Sequence, residues 1–286
     1  MEQKQDNFFK DKAYRILFHE YSPVSLRNLS LLCDPKQELD ALKLRDILVT
    51  DARFKSIDEI HWELATNWYD TVSDLSSNEF VVTDIETTGP FFYSDRIIEI
   101  SALKVKNGCI IDEFYSYVDP EIPVPSSIIR LTGIKPKQLE GQPRIEEVMK
   151  DFIDFWGNGI FCAHDADFDL NFITSEIDRL GYDSFLGVPE ICTLRLARKL
   201  ITSISNHGLK GLSQYFNYEF KERHKAKEDT KATAYFLNRF IEMMGLVNKA
   251  QVHELINLQR KKLGKGQLNR LAKRKLRKLK AKKIAQ

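Results

Sequence analysis

Apolar positions along this chain repeat with two different periods, and the changes of period mark out its elements. Residues 80–85, Phe-Val-Val-Thr-Asp-Ile, are almost continuously apolar or β-branched, which predicts a buried strand. Val- and Ile-rich runs predict two more strands at 97–106 and 109–118. Asn107-Gly108 between them signals a two-residue hairpin turn, whose central residues both take positive φ. Helical spacing then predicts helices at 145–156, 170–180, 193–200, 209–216 and 230–244, with a strand at 159–163. Such alternation predicts a layered α/β domain with a mixed central sheet flanked by helices.

Before residue 79 the elements are shorter. Phe9, Ala13, Ile16 and Leu17 recur at helical spacing within 8–21, and Ser22-Pro23-Val24 breaks the run. Two further helices are predicted at 25–29 and 38–49, the latter with Leu39, Leu42, Ile47 and Leu48 apolar. Phe54-Lys55-Ser56-Ile57 and Ile60-His61-Trp62-Glu63-Leu64 predict two short strands, the second alternating Ile60, Trp62 and Leu64. Three helices followed by a hairpin resemble a small winged helix, which often binds DNA through its third helix. Here that helix mixes Glu38, Asp40 and Asp46 with Lys43 and Arg45, so protein contact is as open as DNA contact. Residues 71–78 are polar and predict a linker. The expected organisation is a winged-helix-like domain at 1–70, a linker at 71–78, an α/β domain at 79–246 and a basic helical tail at 247–286.

Composition narrows the class. The chain has 286 residues, 43% of them hydrophobic, enough for one sizeable core and a smaller domain. Cys33, Cys109, Cys162 and Cys192 show no paired metal-ligand spacing and read as free thiols in a reducing compartment. The N-terminus, Met-Glu-Gln-Lys-Gln-Asp-Asn, has no apolar signal core, and no stretch approaches the ~18 apolar residues of a membrane span. A cytoplasmic protein without a membrane partner is expected. The formal net charge of +2 conceals a division: residues 260–286 hold 13 Lys or Arg and no acid, leaving 30 basic and 41 acidic residues elsewhere. The tail, with Lys273, Arg274, Lys275, Arg277 and Lys278, reads as a salt-sensitive nucleic-acid footprint; ribosome or acidic-protein binding would carry the same pattern.

The candidate chemistry lies in three segments. Asp84 and Glu86 follow the first strand two residues apart, so they share one face. Two carboxylates at the end of an apolar strand repel one another, and a divalent cation removes that penalty. The second segment, His164-Asp165-Ala166-Asp167-Phe168-Asp169, reads as a loop entering a helix. The third, His224-Lys225-Ala226-Lys227-Glu228-Asp229, places His224 in a loop and Asp229 near the first turn of the next helix. Alone, each has a bland reading: an Asp-x-Glu after a strand is commonly a solvated turn, and a histidine among lysines a surface group.

Six motifs in order change that reading: Asp-Ile-Glu-Thr-Thr-Gly at 84–89, Ile-Ile-Glu-Ile-Ser-Ala at 97–102, Leu-Thr-Gly-Ile at 131–134, His-x-x-x-Phe-Asp at 164–169, Thr-Leu-x-Leu-Ala-Arg at 193–198 and His-x-x-x-x-Asp at 224–229. Over roughly 79–244 the chain resembles the DnaQ-like 3′–5′ exonucleases of the DEDDh type, the group of the proofreading epsilon subunit of bacterial DNA polymerase III. The resemblance implies a ribonuclease-H-like fold and two divalent ions, Mg or Mn, clamping the scissile phosphate. Asp84, Glu86, Asp169 and Asp229 would hold the ions and His224 would be the general base. Thr87, Thr88, Leu131 and Phe168 would contact the 3′ end. The implied reaction releases nucleoside 5′-monophosphates from single-stranded ends, DNA ahead of RNA, with a DNA polymerase or replisome as possible partner. RNA 3′-end trimming and a catalytically weak nucleic-acid-binding adaptor are the alternatives. One departure stands out: the family commonly has Asn where this chain has Asp165. Asp167 adds a further acid, and only Asp169 follows the matching Phe. His164 reads as a loop-orienting hydrogen-bonder and not as a metal ligand.

Overall fold

A computed structural model describes residues 6, 9–10, 12–14, 16–17, 23–34, 39–65, 79–181, 190–220, 225–245 and 252–259. Two compact units emerge, one including Met1–Thr71 and the other Val72–Gln259. The expected linker at 71–78 lies outside the described residues, as does the basic stretch 260–286 with Lys273, Arg274, Lys275, Arg277 and Lys278.

In the first unit, Phe9, Ala13 and Leu17 are buried, as their spacing predicts. Strand β1 (Val24–Ser25) leads into α1 (Leu26–Cys33), then α2 (Ala41–Leu48), β2 (Phe54–Ser56) and β3 (His61–Leu64). The strands pair antiparallel in the order β1-β3-β2. Two residues are too few to show alternation, which is why β1 was not expected. Ser25 and Asp40 cap the helices, their side chains accepting from the N–H groups of Asn28 and Lys43. Two apolar assignments are corrected. Leu42 is 63% exposed, since residues two apart on a helix face different ways and Leu44 takes the core. Ile60 is exposed beside the hairpin turn, while Trp62 is buried.

The second unit is built on a five-stranded mixed sheet, order β6-β5-β4-β7-β8. Its strands are β4 (Phe80–Thr87), β5 (Ile97–Lys106), β6 (Cys109–Tyr117), β7 (Ile160–Ala163) and β8 (Glu190–Cys192). The first three form an antiparallel meander; β7 and β8 add in parallel, which requires crossover helices. Asn107 and Gly108 both have positive φ, 52° and 76°, as the hairpin turn demands. The helices are α3 (Ser126–Thr132), α4 (Pro136–Leu139), α5 (Ile145–Trp156), α6 (Ala166–Leu180), α7 (Thr193–Leu200), α8 (Leu209–Phe216), α9 (Ala226–Met243) and α10 (Val252–Gln259). Helix α5 buries Ile145, Val148, Met149, Phe152 and Trp156, one stripe at helical spacing, in a core shared with Val81, Phe161 and Phe172.

Three boundaries differ from expectation. Helix α6 starts at Ala166 instead of 170, because Asp165 takes the left-handed conformation (φ 76°) and turns the chain sharply into it. Asp167 and Asp169 then sit in its first turn, where the helix dipole favours acids. Helix α9 likewise begins at Ala226 instead of 230, with Glu228 and Asp229 in its first turn. At the C-terminal side the unit does not stop at 246. Gln259 of α10 accepts from Cys192 N at 2.7 Å and donates to Glu190 O at 2.5 Å, tying α10 to β8.

Phe152 is fully buried and touches Phe114 and Trp156. Phe152→Ala is expected to lower unfolding free energy by about 3–5 kcal/mol, read from urea unfolding midpoints at unchanged m.

Candidate active site

Strand β4 lies at the centre of the sheet, and its last turnless stretch carries Asp84 and Glu86 on one face. Antiparallel pairing sets Asp84 opposite Ser101 and Glu86 opposite Glu99. A register shift between Glu86 and Thr87 then ends the regular ladder. Helix α9 packs over the same strands and delivers Asp229 from its first turn. Oxygen atoms of Asp84, Glu86 and Asp229 all lie within 4.8 Å of one another. Asp169, from the first turn of α6, is 3% exposed and accepts from Ile85 N at 3.3 Å, which seats it against β4. The helix starts found at 166 and 226 are therefore what brings Asp169 and Asp229 to the strand.

The electrostatics follow from this crowding. Burial, then Asp169, Glu86 and Asp229, push the Asp84 carboxyl well above the carboxylate range. Glu86 is raised from 4.5 to about 8, by burial first and then by Glu99 and Asp229, while Lys225 pulls it down. Asp169 is also raised by burial, against the pull of the Ile85 N–H. Lys225 is the cation at the edge of this group; its Nζ lies 3.8 Å from where a Cβ on Gly133 would stand, and its charge also draws down Glu99. The donor set is all hard carboxylate oxygen, converging and mutually repelling, and it fits Mg or Mn in preference to softer ions.

Other sequence-predicted residues fall out as follows. His224 lies outside the described residues. Thr87 and Thr88 are buried and their hydroxyls are engaged locally: Thr87 donates to Gly89 O at 2.7 Å, and Thr88 accepts from Arg96 N at 2.9 Å. A Cβ on Gly89 would meet the Asp95 carboxylate at 2.5 Å, so a side chain there would oblige Asp95 to shift. Leu131 is 53% exposed at the end of α3, where Gly133 (φ 72°) closes the helix. Phe168 is partly buried and packs on Phe172. His164 contacts Thr193 Oγ1 through Nδ1 at 2.9 Å, and burial holds its pKa down to about 4. Because the Thr193 hydroxyl donates to Ala163 O, it accepts from His164, which orients the loop as expected. Asp165 fills a left-handed position that both Asn and Asp tolerate, so the departure adds charge without backbone cost. Asp167, still more than half exposed, pairs with buried Arg195 at 3.1 Å, and Arg195 also binds Glu190 at 2.9 Å.

Sequence reasoning gave Glu99 no role, although it stands in a quoted motif. It is 1% exposed and accepts from Tyr115 OH at 2.7 Å and Ala226 N at 3.3 Å. The available signal was a lone Glu in the middle of an apolar strand.

An exonuclease profile, RNase_T, matches residues 81–237, spanning β4 to α9 and every acid of the cluster. The chain belongs to this exonuclease family. Relatives include the PolC-type DNA polymerase III of Halalkalibacterium halodurans, 40% identical over 168 residues, 59% of this chain and 12% of that one. The PolC-type enzyme of Staphylococcus haemolyticus is 38% identical over 191 residues, covering 65% of this chain and 13% of the relative. The match thus spans about an eighth of these relatives' length. Among solved structures, E. coli exonuclease I in complex with a dT13 oligonucleotide aligns with TM-score 0.52 and 17% identity, over 63% of this chain and 43% of that one. Exonuclease I from Methylocaldum szegediense gives 0.51 and 16%, over 63% and 42%. These likenesses show the RNase-H-like exonuclease fold. No helix among the described residues is long and apolar enough to cross a membrane.

In metal-free protein, the raised Glu86 pKa means that the folded state binds a proton more tightly than the unfolded one. That contribution is complete below 4.5 and is lost as pH rises through about 8. Thermal scans of metal-free protein should show the melting temperature rising as pH falls below about 8. Glu86→Gln should flatten that rise, and saturating Mg should raise the melting temperature of wild type but not of Asp84→Ala.

Proposed function

We propose that the chain is a divalent-metal-dependent 3′–5′ exonuclease releasing nucleoside 5′-monophosphates from single-stranded DNA ends. The observation that carries this reading is the convergence of Asp84, Glu86 and Asp229, with Asp169 against the same strand, inside an exonuclease-family domain. These four carboxylates would hold two ions, Mg or Mn. Ions bound there supply charge neutralisation at the scissile phosphate and make the attacking water more acidic. His224 takes the proton from that water, a role that rests on the sequence motif. The 3′ oxygen of the penultimate nucleotide leaves. Thr87 and Thr88 face the 3′ end through the backbone of their turn, their hydroxyls being engaged. Leu131, exposed, and Phe168, partly buried against Phe172, are the apolar contacts to the terminal nucleotide.

DNA is placed ahead of RNA because the relatives are named as DNA polymerases and the exonuclease I neighbour holds a DNA oligonucleotide. The same relatives support association with a DNA polymerase, in the manner of the epsilon proofreading subunit. The first unit is read as a winged helix: its helices, the hairpin and the β1-β3-β2 order support that reading. The stretch 260–286 adds a nonspecific hold on the nucleic-acid backbone.

Matched 5′-labelled single-stranded DNA and RNA oligonucleotides with Mg or Mn provide the test. The expected result is a ladder shortening from the 3′ end, faster on DNA, and absent with EDTA and in folded Asp84→Ala. Faster shortening of RNA would move the reading to RNA 3′-end trimming. Binding without cleavage of either would move it to a nucleic-acid adaptor. His224→Ala should lower kcat by about 10²–10⁴-fold. Ending the chain after Gln259 should weaken oligonucleotide binding and reduce the slope of log Kd against log salt, measured by fluorescence anisotropy.

A further inference from the structure

Glu99 is a buried carboxylate in an already acidic place, and nothing in the proposed chemistry uses it. It faces Glu86 across the β4–β5 ladder, where each negative charge makes the other harder to keep. An apolar residue would hold β5 in the sheet equally well and would avoid the cost of burying an acid. What an apolar residue cannot do is accept a hydrogen bond. Glu99 accepts two: from Tyr115 OH at 2.7 Å and from Ala226 N at 3.3 Å.

Ala226 is the first residue of α9, and the first N–H groups of a helix have no partner within it. Lys225 stands at the capping position and provides no side-chain hydrogen bond. Glu99 therefore supplies from β5 the acceptor that a Ser, Asp or Asn would ordinarily supply locally. The same turn is fastened at further points. Lys227 sits over the Tyr115 ring at 5.5 Å and reaches Glu113 at 3.6 Å. Thr230 Oγ1 lies 3.3 Å from Ser101 O and 2.6 Å from Ala226 O. The start of α9 is thus latched to β5 and β6, and that start carries Asp229, with His224 two residues before Ala226 in the chain.

We propose that Glu99 is a positioning residue: by accepting from Ala226 N it sets where α9 begins, and so aligns Asp229 with the scissile bond. It does not touch the substrate. This rests on the exonuclease reading above.

The experiment measures kcat and KM for 3′ shortening of a DNA oligonucleotide, with Mn affinity by calorimetry, for wild type and Glu99 variants. Glu99→Gln keeps an acceptor oxygen at the same reach. Glu99→Ala removes it, and Glu99→Asp keeps the charge but pulls the oxygen back. The expected result is a loss of kcat of about 10²-fold in Glu99→Ala and Glu99→Asp at unchanged KM, with Glu99→Gln restoring most of it. Wild-type kcat in Glu99→Ala, or in its folded fraction after correction for lost stability, would overturn the proposal. So would a Glu99→Gln variant as slow as Glu99→Ala. If Glu99→Ala does not fold, the order of Gln above Asp supports the proposal and the reverse order overturns it. Wild type and Asp84→Ala run in the same assay: a wild type that fails to shorten DNA sinks the exonuclease reading itself, whereas an active wild type with indifferent Glu99 variants sinks only this inference.

Discussion

Like-charge repulsion among carboxylates that cannot move apart is the constraint around which the second unit is organised. Two unit charges 4 Å apart cost about 4 kcal/mol at an effective dielectric of 20, and a domain's whole stability is about 5–15 kcal/mol. Several such pairs, all ionised, would rival everything the fold gains. Asp84 and Glu86 nevertheless sit on the central strand of the sheet, with neighbours on both sides, and Asp169 and Asp229 come to it from the first turns of two helices. Protons or cations must therefore complete this structure, and near neutral pH a divalent cation with oxygen preference does so best. Placing Asp84 and Glu86 on β4 would give such a cation a rigid seat.

Much of this was readable from the sequence, for identifiable reasons. The strand at 97–106 and the helices at 145–156, 193–200 and 209–216 stand where the pattern puts them: the strand is buried on both faces for most of its length, and the helix at 145–156 buries one stripe. The pairing of Asp84 with Glu86 needed only the twofold period of a strand. What escaped was of two kinds. Helix starts at Ala166 and Ala226 depend on backbone geometry and on hydrogen bonds from elsewhere, and their first turns are polar, so no apolar stripe announces them. The short strands β1 and β8, two and three residues long, owe their existence to partners that precede or follow them by many residues. Glu99 and the Asp167–Arg195–Glu190 group belong to this second kind: each is defined by a contact across the fold, and no local pattern encodes it.

The distribution of charge has a related logic. Residues 260–286 hold 13 Lys or Arg and no acid, whereas the rest of the chain holds 41 acidic against 30 basic residues, so the two signs of charge are segregated along the sequence. Among the described residues, Lys225 is a cation close to the cluster, with its Nζ near Gly133.

The sheet has two outer strands, β6 and β8, and they are finished differently. On β8 the Gln259 amide takes up Cys192 N and Glu190 O, occupying the positions a further strand would use. β6 carries Ile110, Ile111 and Tyr115 exposed and has no strand beyond it among the described residues. Growth of this sheet by addition of another chain therefore has a direction: one margin is sealed from within by a single glutamine, and any lateral assembly must proceed from the hairpin side.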